Sequence, residues 1–367
     1  MKAAIIAGLF CWLAAFPTQG WAQTGPAKEY LSPLGIVSLD GVEGRLDHLA
    51  ADAARQRLFV AALENHSVEV VDLAKRVRAD RITGILEPQG LAFIPEAGRL
   101  IVACRGDGLC RSFDAQTLEE GPWIDLGHNA DNVRFDSESR TIFVGSGGEP
   151  GAGRMSAIAL ASLLPVSQGG HASLPKSPAD LLLDRPRQGD PLAEAELPSH
   201  PESFQIDLAG HRLLVNVPDD HEIAVIDVTK DALRVSAHWP VTVAERNFPM
   251  ALDSIHDRLY IAGRKPALLL AYDARKGTLV AQAPCPGDAD DLFYDPATRR
   301  LIVLGGEGFF DVFQVPETGD GFTRVQRLAT APRARTGLFI PEQKLLVVAV
   351  PHTAGEGARL LLFSVGP

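Results

Sequence analysis

The chain has 367 residues, with 46 acidic and 35 basic side chains and a net charge of −11 at neutral pH. This balance argues against a nucleic-acid-binding role, because a polyanion would be repelled. The length alone would allow two domains, but a repeat along the chain indicates one.

The first segment of the chain has the pattern of a secretory signal peptide. Lys2 is followed by an apolar run over residues 3–16, by Pro17 and by a small-residue site at 20–22. The run is shorter than the roughly 20 residues that span a bilayer, and no second run of that length follows. We predict a signal peptide over 1–22, a lead over 23–33, no transmembrane segment, and a periplasmic or secreted protein.

From residue 34 onward the chain repeats with a period near 42 residues. Each repeat carries a basic residue that opens an apolar β-run, at Arg57, Arg99, Arg140, Arg212, Arg258, Arg300 and Lys344. The intervals are 42, 41, 72, 46, 42 and 44 residues, and an insertion at about 161–193 explains the long one. This period and chemistry indicate four-stranded propeller blades. We predict an all-β, seven-bladed β-propeller over 34–367.

The two ends of the repeat region predict how the ring closes. The seventh repeat reaches Pro367 after three strands, whereas a surplus strand precedes the first repeat at 34–39. We predict that this N-terminal strand completes the C-terminal blade, because closure removes strand edges that would otherwise promote aggregation.

Two stretches of the chain resemble a known repeat family. The runs LFVA…VEVVDLAKR (58–76) and LLVNV…IAVIDVTKD (213–231) are similar to the YVTN-type β-propeller repeats of secreted bacterial proteins. The resemblance covers about 34–365 and implies the architecture. Such propellers include binding and surface proteins, and related scaffolds also host hydrolases and lyases, so the fold does not define a function.

Three cysteines remain after the signal segment. Cys104 and Cys110 flank the loop CRGDGLC in the second repeat, and opposed hairpin positions can meet disulfide geometry. Because an exported protein meets an oxidising compartment, we predict a Cys104–Cys110 disulfide, with a pair of half-buried thiols as the alternative. Cys285 has no sequence-local partner and is predicted to be a buried free thiol.

The residues just before the first strand of each repeat should converge at the mouth of the central channel. The position next to the strand holds His48, Gly90, Asn132, Ser203, Pro249, Asp291 and Thr336. The position before it holds Asp47, Gln89, Asp131, Glu202, Phe248, Asp290 and Arg335. The repeat's consensus is lost here and polarity is gained. The predicted ligand-binding residues are Asp47, Gln89, Asn132, Arg246, Asn247 and Arg335.

Clustered carboxylates repel one another unless a positive charge compensates them. We predict a divalent cation, Ca²⁺ or similar, because such ions take oxygen ligands. Its predicted ligands are Asp131, Glu202, Asp290 and Asp291. The alternatives are an ion-pair network with Arg45, Arg246 and Arg335, and a hydrated polar mouth. His48, Asp291 and His200 are candidates for general acid–base chemistry.

Two classes of function stay open at this point. The first is a monomeric binding or interaction module that takes an unknown small molecule or protein at the mouth and at the loops between second and third strands. The second is a metal-dependent hydrolase or lyase. In gluconolactonase-like propellers, Glu, Asn and Asp share a cation at the mouth, and Glu202, Asn132 and Asp291 are similar in type and location. That family has six blades, whereas this chain has seven.

Overall fold

The structure is a computed structural model that describes residues 29–148, 151–165, 189–318 and 320–366. The predicted signal peptide and residues 166–188 of the predicted insertion lie outside the described residues. Seven four-stranded antiparallel sheets are present. The first strands of adjacent blades contact one another and form the inner ring. The prediction of an all-β, seven-bladed propeller is confirmed.

The strands of each blade follow one another in the chain, and we label them A to D from the inside outward. The first strand of the described residues is β1 (Leu31–Ser38), followed in blade 1 by β2 (Leu46–Asp52), β3 (Arg57–Ala62), β4 (Ser67–Asp72) and β5 (Val77–Thr83). Blade 2 contains β6 (Pro88–Ile94), β7 (Arg99–Cys104), β8 (Leu109–Asp114) and β9 (Glu120–Asp125). Blade 3 contains β10 (Val133–Asp136), β11 (Thr141–Ser146), β12 (Gly153–Ala159) and β13 (Ala193–Leu197).

The remaining blades follow the same plan. Blade 4 contains β14 (Phe204–Asp207), β15 (Arg212–Val217), β16 (Glu222–Val228) and β17 (Leu233–Pro240). Blade 5 contains β18 (Met250–Asp253), β19 (Arg258–Arg264), β20 (Ala267–Asp273) and β21 (Thr278–Pro284). Blade 6 contains β22 (Ala289–Asp295), β23 (Arg300–Gly305), β24 (Phe309–Gln314) and β25 (Thr323–Ala329). Blade 7 contains β26 (Thr336–Ile340), β27 (Leu345–Val350) and β28 (Arg359–Val365).

Helical structure among the described residues is confined to single turns. The short 3₁₀ helices are Ala53–Arg55, Leu63–Asn65, Leu160–Leu163, Pro218–Asp220 and Pro341–Gln343. Within the described part of the chain, no helix has the length and apolar character needed to cross a membrane.

The N-terminal strand closes the ring as predicted. β1 pairs antiparallel with β28, from Leu31 opposite Val365 to Ser38 opposite Arg359. The backbone N–H of Gly366 also donates to the carbonyl of Tyr30 at 2.6 Å. The strand begins three residues earlier than the sequence indicated, because Leu31 is fully buried against blade 7 and extends the ladder into the predicted lead.

The packed blades explain the long apolar runs of the sequence. Every residue of β7 is buried, whereas the D strand β21 is exposed along most of its length. Seven apolar clusters alternate with the blades around the ring, and each cluster joins residues of neighbouring blades. The B strands are therefore buried on both faces, which is what continuous rather than alternating hydrophobicity requires.

The predicted Cys104–Cys110 disulfide is wrong, since both cysteines are free thiols. The residue opposite Cys110 is Ala103, not Cys104. Successive side chains of a strand point to opposite faces, so the one-residue offset sends the two sulfurs into different cores. Cys104 packs between blades 1 and 2, and Cys110 packs between blades 2 and 3. Cys285 is a buried free thiol, as predicted.

Candidate functional site

The candidate site lies at the mouth of the central channel, where the D–A connections enter the inner strands. Asp131 and Glu202 occupy equivalent positions in blades 3 and 4. The N–H of Asp131 donates to the Gly145 carbonyl at 2.9 Å, and the N–H of Glu202 donates to the Asn216 carbonyl at 2.9 Å. Because both backbones are fixed to the B strand of their own blade, the repeat itself sets the height of these two side chains.

Two glycines permit the close approach of these connections. A Cβ atom at Gly90 would lie 1.9 Å from the carbonyl oxygen of Asp131, and one at Gly153 would lie 1.7 Å from that of Ser199. No side chain fits at either separation. Gly90 therefore lets blade 2 pack against the Asp131 backbone, and Gly153 lets the connection that carries His200 lie across blade 3.

Asp131, His200 and Glu202 form one compact polar group of the mouth, and we call them the triad. One ligand atom from each side chain lies within 4.8 Å of those from the other two. His200 Nε2 is 3.3 Å from Asp131 Oδ2. On the other side of the imidazole, Nδ1 makes a short contact with the Gly147 carbonyl oxygen.

Asp131 is held by further polar partners. The amide of Gln89 donates to Asp131 Oδ2 at 2.7 Å, and His48 Nε2 lies 3.9 Å from Asp131 Oδ1. Asp131 and Gln89 are both buried. The other amide atom of Gln89, Oε1, is buried and has no hydrogen-bond partner within the described ranges.

A second group at the mouth is an ion-pair network centred on blade 6. Asp290 accepts from Arg264 at 2.5 Å, and its other oxygen is 2.8 Å from Arg335 Nε. Both arginines also pair with Asp288, at 3.2 and 2.8 Å. The Arg264 guanidinium lies over the Phe248 ring at 3.8 Å from its centroid. Arg45 pairs with the buried Asp47 at 2.9 Å.

A small polar cavity lies deeper in the channel. It has a volume of about 60 Å³ and is lined by side chains from blades 1, 2, 3, 6 and 7, among them His48, Asn132, Arg134 and Asp291. Asp291 Oδ2 accepts from the Gly337 N–H at 2.7 Å, and its Oδ1 is 3.9 Å from His48 Nδ1. The His48 ring therefore stands between Asp291 and Asp131 and connects the cavity to the triad.

The electrostatic balance of the mouth is negative. Burial raises the pKa of Asp47 to about 6 despite the Arg45 pair, and burial raises the pKa of Asp291 to about 6 despite His48. The pKa of Glu202 is raised well above its usual range by burial and by neighbouring carboxylates. Burial opposes protonation of His48, but the surrounding carboxylates outweigh it and raise the pKa of this imidazole.

The structure groups the predicted site residues differently from the sequence. Asp131 and Glu202 come together with His200, whereas Asp290 is engaged by arginines and Asp291 lines the cavity. The bound cation stays a prediction. Of the predicted ion-pair arginines, Arg45 and Arg335 pair with carboxylates at the mouth.

Two predicted ligand-binding residues have other roles or positions. The Asn247 side chain is fully buried and donates to Asn216 Oδ1 at 2.8 Å and to the Glu222 carbonyl at 3.1 Å, so it ties its connection to blade 4. Arg246 is exposed.

Sequence reasoning did not find Arg134 in the channel. This arginine follows the mouth positions inside β10, and its Nε donates to the Phe204 carbonyl at 3.3 Å. A basic residue within an inner strand, at a position where five of the other six repeats carry an apolar residue, was the available signal. From the sequence, Arg264 was recognisable only as a residue of the loop between the B and C strands of its blade.

An open groove adjoins the mouth on the same face. It measures about 780 Å³ and runs between the B–C loops of blades 2 and 3, with Arg105, His128, Asn129 and Arg154 in its lining. The Asn129 amide lies 3.5 Å from His200 Nδ1, so the groove reaches the triad.

Comparisons with known proteins support the fold and no narrower class. No family model matches the chain, and no curated protein matches it. The YVTN-type resemblance therefore stays a prediction. A chain in the crystal structure of the mitotic checkpoint complex is similar in structure, with a TM-score of 0.69, 12% identity, and coverage of 98% of this chain and 100% of that chain. At this identity the likeness shows a propeller fold alone. The chain is thus a seven-bladed β-propeller, a fold compatible with a binding or interaction module.

Proposed function

We propose that this protein is an exported binding module that captures a small, positively charged ligand at its channel mouth. The observation that carries this proposal is the cluster of carboxylates at the mouth, where Asp131 and Glu202 lie beside His200 and where Asp131 and Asp291 lie on either side of His48. The carboxylates around His48 raise the pKa of its imidazole despite burial, so they favour a positive charge at this position.

The charge distribution singles out one part of the mouth. The arginines Arg264 and Arg335 are engaged with Asp288 and Asp290. The carboxylates of Asp131 and Asp291 instead face the imidazole rings of His48 and His200. A ligand cation can approach carboxylates that face imidazole rings at lower cost than it can displace a guanidinium held by two carboxylates. The side of the mouth formed by blades 1, 3, 4 and 6 is therefore the preferred location.

The surrounding geometry supports a ligand of small size. The polar cavity of about 60 Å³ holds only a few heavy atoms. The groove between blades 2 and 3 is larger, at about 780 Å³, and can accommodate the remainder of a ligand. The lactonase-like alternative is not favoured, because Asn132 and Asp291 line the cavity whereas Glu202 belongs to the triad.

The ligand class is tested by thermal unfolding in a panel of solutes at matched ionic strength. Spermidine, choline and divalent metal chlorides form the cationic arm, and citrate and phosphate form the anionic arm. A ligand at 100 times its Kd stabilises the native state by about 2.7 kcal/mol. We expect at least one cation to raise the Tm, and Glu202→Gln to reduce that response. Glu138→Gln, an exposed position in the A–B turn of blade 3, should leave it unchanged.

Stabilisation by the anions alone, or by no solute at all, would overturn the proposed ligand class. Export is tested separately, by fractionating cells that express the full chain. We expect the periplasmic or secreted protein to begin at Gln23. A cytoplasmic protein that retains residues 1–22 would refute the export proposal and leave the ligand proposal standing.

A further inference from the structure

We propose that Asp131, His200 and Glu202 bind a divalent transition metal of the Zn²⁺ class. The inference rests on the proposed function, since the metal would be the cation, or the cationic part of the ligand, that the mouth captures.

The geometry of the triad suits a single ion. The three donor atoms lie within 4.8 Å of one another, and the His200 Nε2 to Asp131 Oδ2 distance is 3.3 Å. Zinc is held at about 2.0–2.2 Å by nitrogen and carboxylate oxygen in a tetrahedral arrangement, so adjacent donors lie about 3.3–3.6 Å apart. One pair already has this separation, and the third donor, a carboxylate oxygen of Glu202, lies within 4.8 Å of both.

The partners of the triad are those that orient metal ligands in proteins. The Gly147 carbonyl can only accept a hydrogen bond, so the contact with His200 Nδ1 places the proton on that nitrogen. Nε2 then faces the carboxylates. A histidine ligand held by a backbone carbonyl, and a carboxylate ligand held by an amide donor such as Gln89, are typical outer partners of a bound metal.

A rival arrangement is a plain ion pair between protonated His200 and Asp131. It leaves the buried Gln89 Oε1 without a hydrogen-bond partner in the described part of the protein. Buried polar atoms are rarely left in that state. Three protein ligands leave a fourth coordination position to a water molecule, which could donate to such an acceptor. The unpartnered amide oxygen is therefore a second observation, independent of the acids, that favours an occupied site.

The donor set selects the class of metal. Ca²⁺ takes six to eight oxygen ligands, and Mg²⁺ is held through oxygen and water. One imidazole with two carboxylates is a borderline set that suits Zn²⁺ and its first-row neighbours. The sequence-based expectation of Ca²⁺ assumed a site of oxygens from Asp131, Glu202, Asp290 and Asp291. Replacing two of these by His200 changes the expected ion.

The experiment is calorimetric titration of the chelator-treated full chain with ZnCl₂ alone. We expect one high-affinity ion per chain, and at least tenfold weaker binding of CaCl₂ and MgCl₂. His200→Asn and Glu202→Gln should each weaken Zn²⁺ binding at least tenfold. Gln89→Leu, which removes an outer partner, should weaken it by about 10–100-fold with the stoichiometry unchanged.

The matched control is His238→Asn. His238 Nδ1 is 2.7 Å from Glu222 Oε1 on the outer strands of blade 4, so it belongs to a histidine–carboxylate pair that is not part of the triad. This variant should bind Zn²⁺ as the wild-type chain does. Equal affinity in the wild-type, His200→Asn and Glu202→Gln proteins would overturn the assignment, as would the absence of Zn²⁺ binding.

A second measurement needs no variant. Nitrogen-edited spectra of the ten histidine rings should show that Zn²⁺ shifts the Nε2 resonance of one ring. The absence of such a shift would refute a histidine ligand. The two proposals fail separately. If Zn²⁺ has no effect but spermidine or choline still raises the Tm through Glu202, the metal assignment is wrong and the cationic-ligand function survives.

Discussion

Replacing Asp291 by asparagine should stabilise the protein at pH 8 and have little effect at pH 4. Burial raises the pKa of this carboxyl from 3.8 to about 6. The folded-state pKa of Asp291 therefore lies above its unfolded value. The contribution of the protonated carboxyl to the free energy of unfolding is complete below about pH 3.8 and is lost as the pH rises through about 6. Above that window the wild-type protein carries a buried charge that the amide avoids.

The magnitude follows from the size of the shift. Each unit of pKa is worth about 1.4 kcal/mol, so a change of about two units makes the charged form about 3 kcal/mol less favourable in the folded chain. We expect Asp291→Asn to raise the free energy of unfolding at pH 8 by up to that amount. The asparagine carbonyl can still accept the hydrogen bond from the Gly337 N–H, which the carboxylate accepts at 2.7 Å.

The assay is urea unfolding of the wild-type and variant proteins at pH 4 and pH 8. The control is Asp114→Asn, because the backbone N–H groups of Thr117 and Gln116 lower the pKa of that carboxyl. The contribution of the Asp114 carboxylate to the free energy of unfolding is present above the unfolded pKa and is lost at lower pH, so Asp114→Asn should be destabilised at pH 8. If Asp291→Asn were instead destabilised at pH 8 as much as Asp114→Asn, the argument that burial disfavours the charged form of Asp291 would be refuted.

Three further predictions test the fold and the supports of the site. Deletion of residues 29–38 should leave β28 with an unpaired edge and remove the fully buried Leu31 and Val37, each worth about 1.5–3 kcal/mol; light scattering should detect aggregation, and an unchanged Tm would contradict ring closure. Gly153→Ala should displace the His200 connection and weaken Zn²⁺ binding in calorimetry, whereas Gly357→Ala, with open space around it, should not. In a thiol assay the three buried cysteines should react only on unfolding, because burial raises the pKa of each thiol, and a reductant should leave the Tm unchanged.

The architecture could be predicted from the sequence because two independent features agreed. Anchors such as Arg57 and Arg99 recur with the period of a blade, and a surplus strand at one end matches a missing strand at the other. Both features depend on backbone pairing, which the order of apolar runs determines. The disulfide prediction failed because spacing along the chain does not show that Cys104 and Cys110 face different cores.

The site could be predicted only in composition. Aligning the repeats placed Asp131, Glu202 and Asp291 at the mouth, because equivalent positions of a ring must converge. Which carboxylate pairs with which positively charged side chain depends on the length and direction of the side chains. Arg264 extends from a B–C hairpin to Asp290, and the Ser199–His200 connection crosses blade 3 only because position 153 is a glycine. No period in the sequence encodes such contacts.

The pairing of β1 with β28 also fixes how the molecule can be held. β28 descends from the mouth face, so Val365 and its partner Leu31 lie together at the far face. Both described ends of the chain therefore emerge on the side away from the mouth. A surface tether, a fused domain or an affinity tag attached at either of these ends would join the molecule on the side away from the acidic opening, which would stay accessible to solutes.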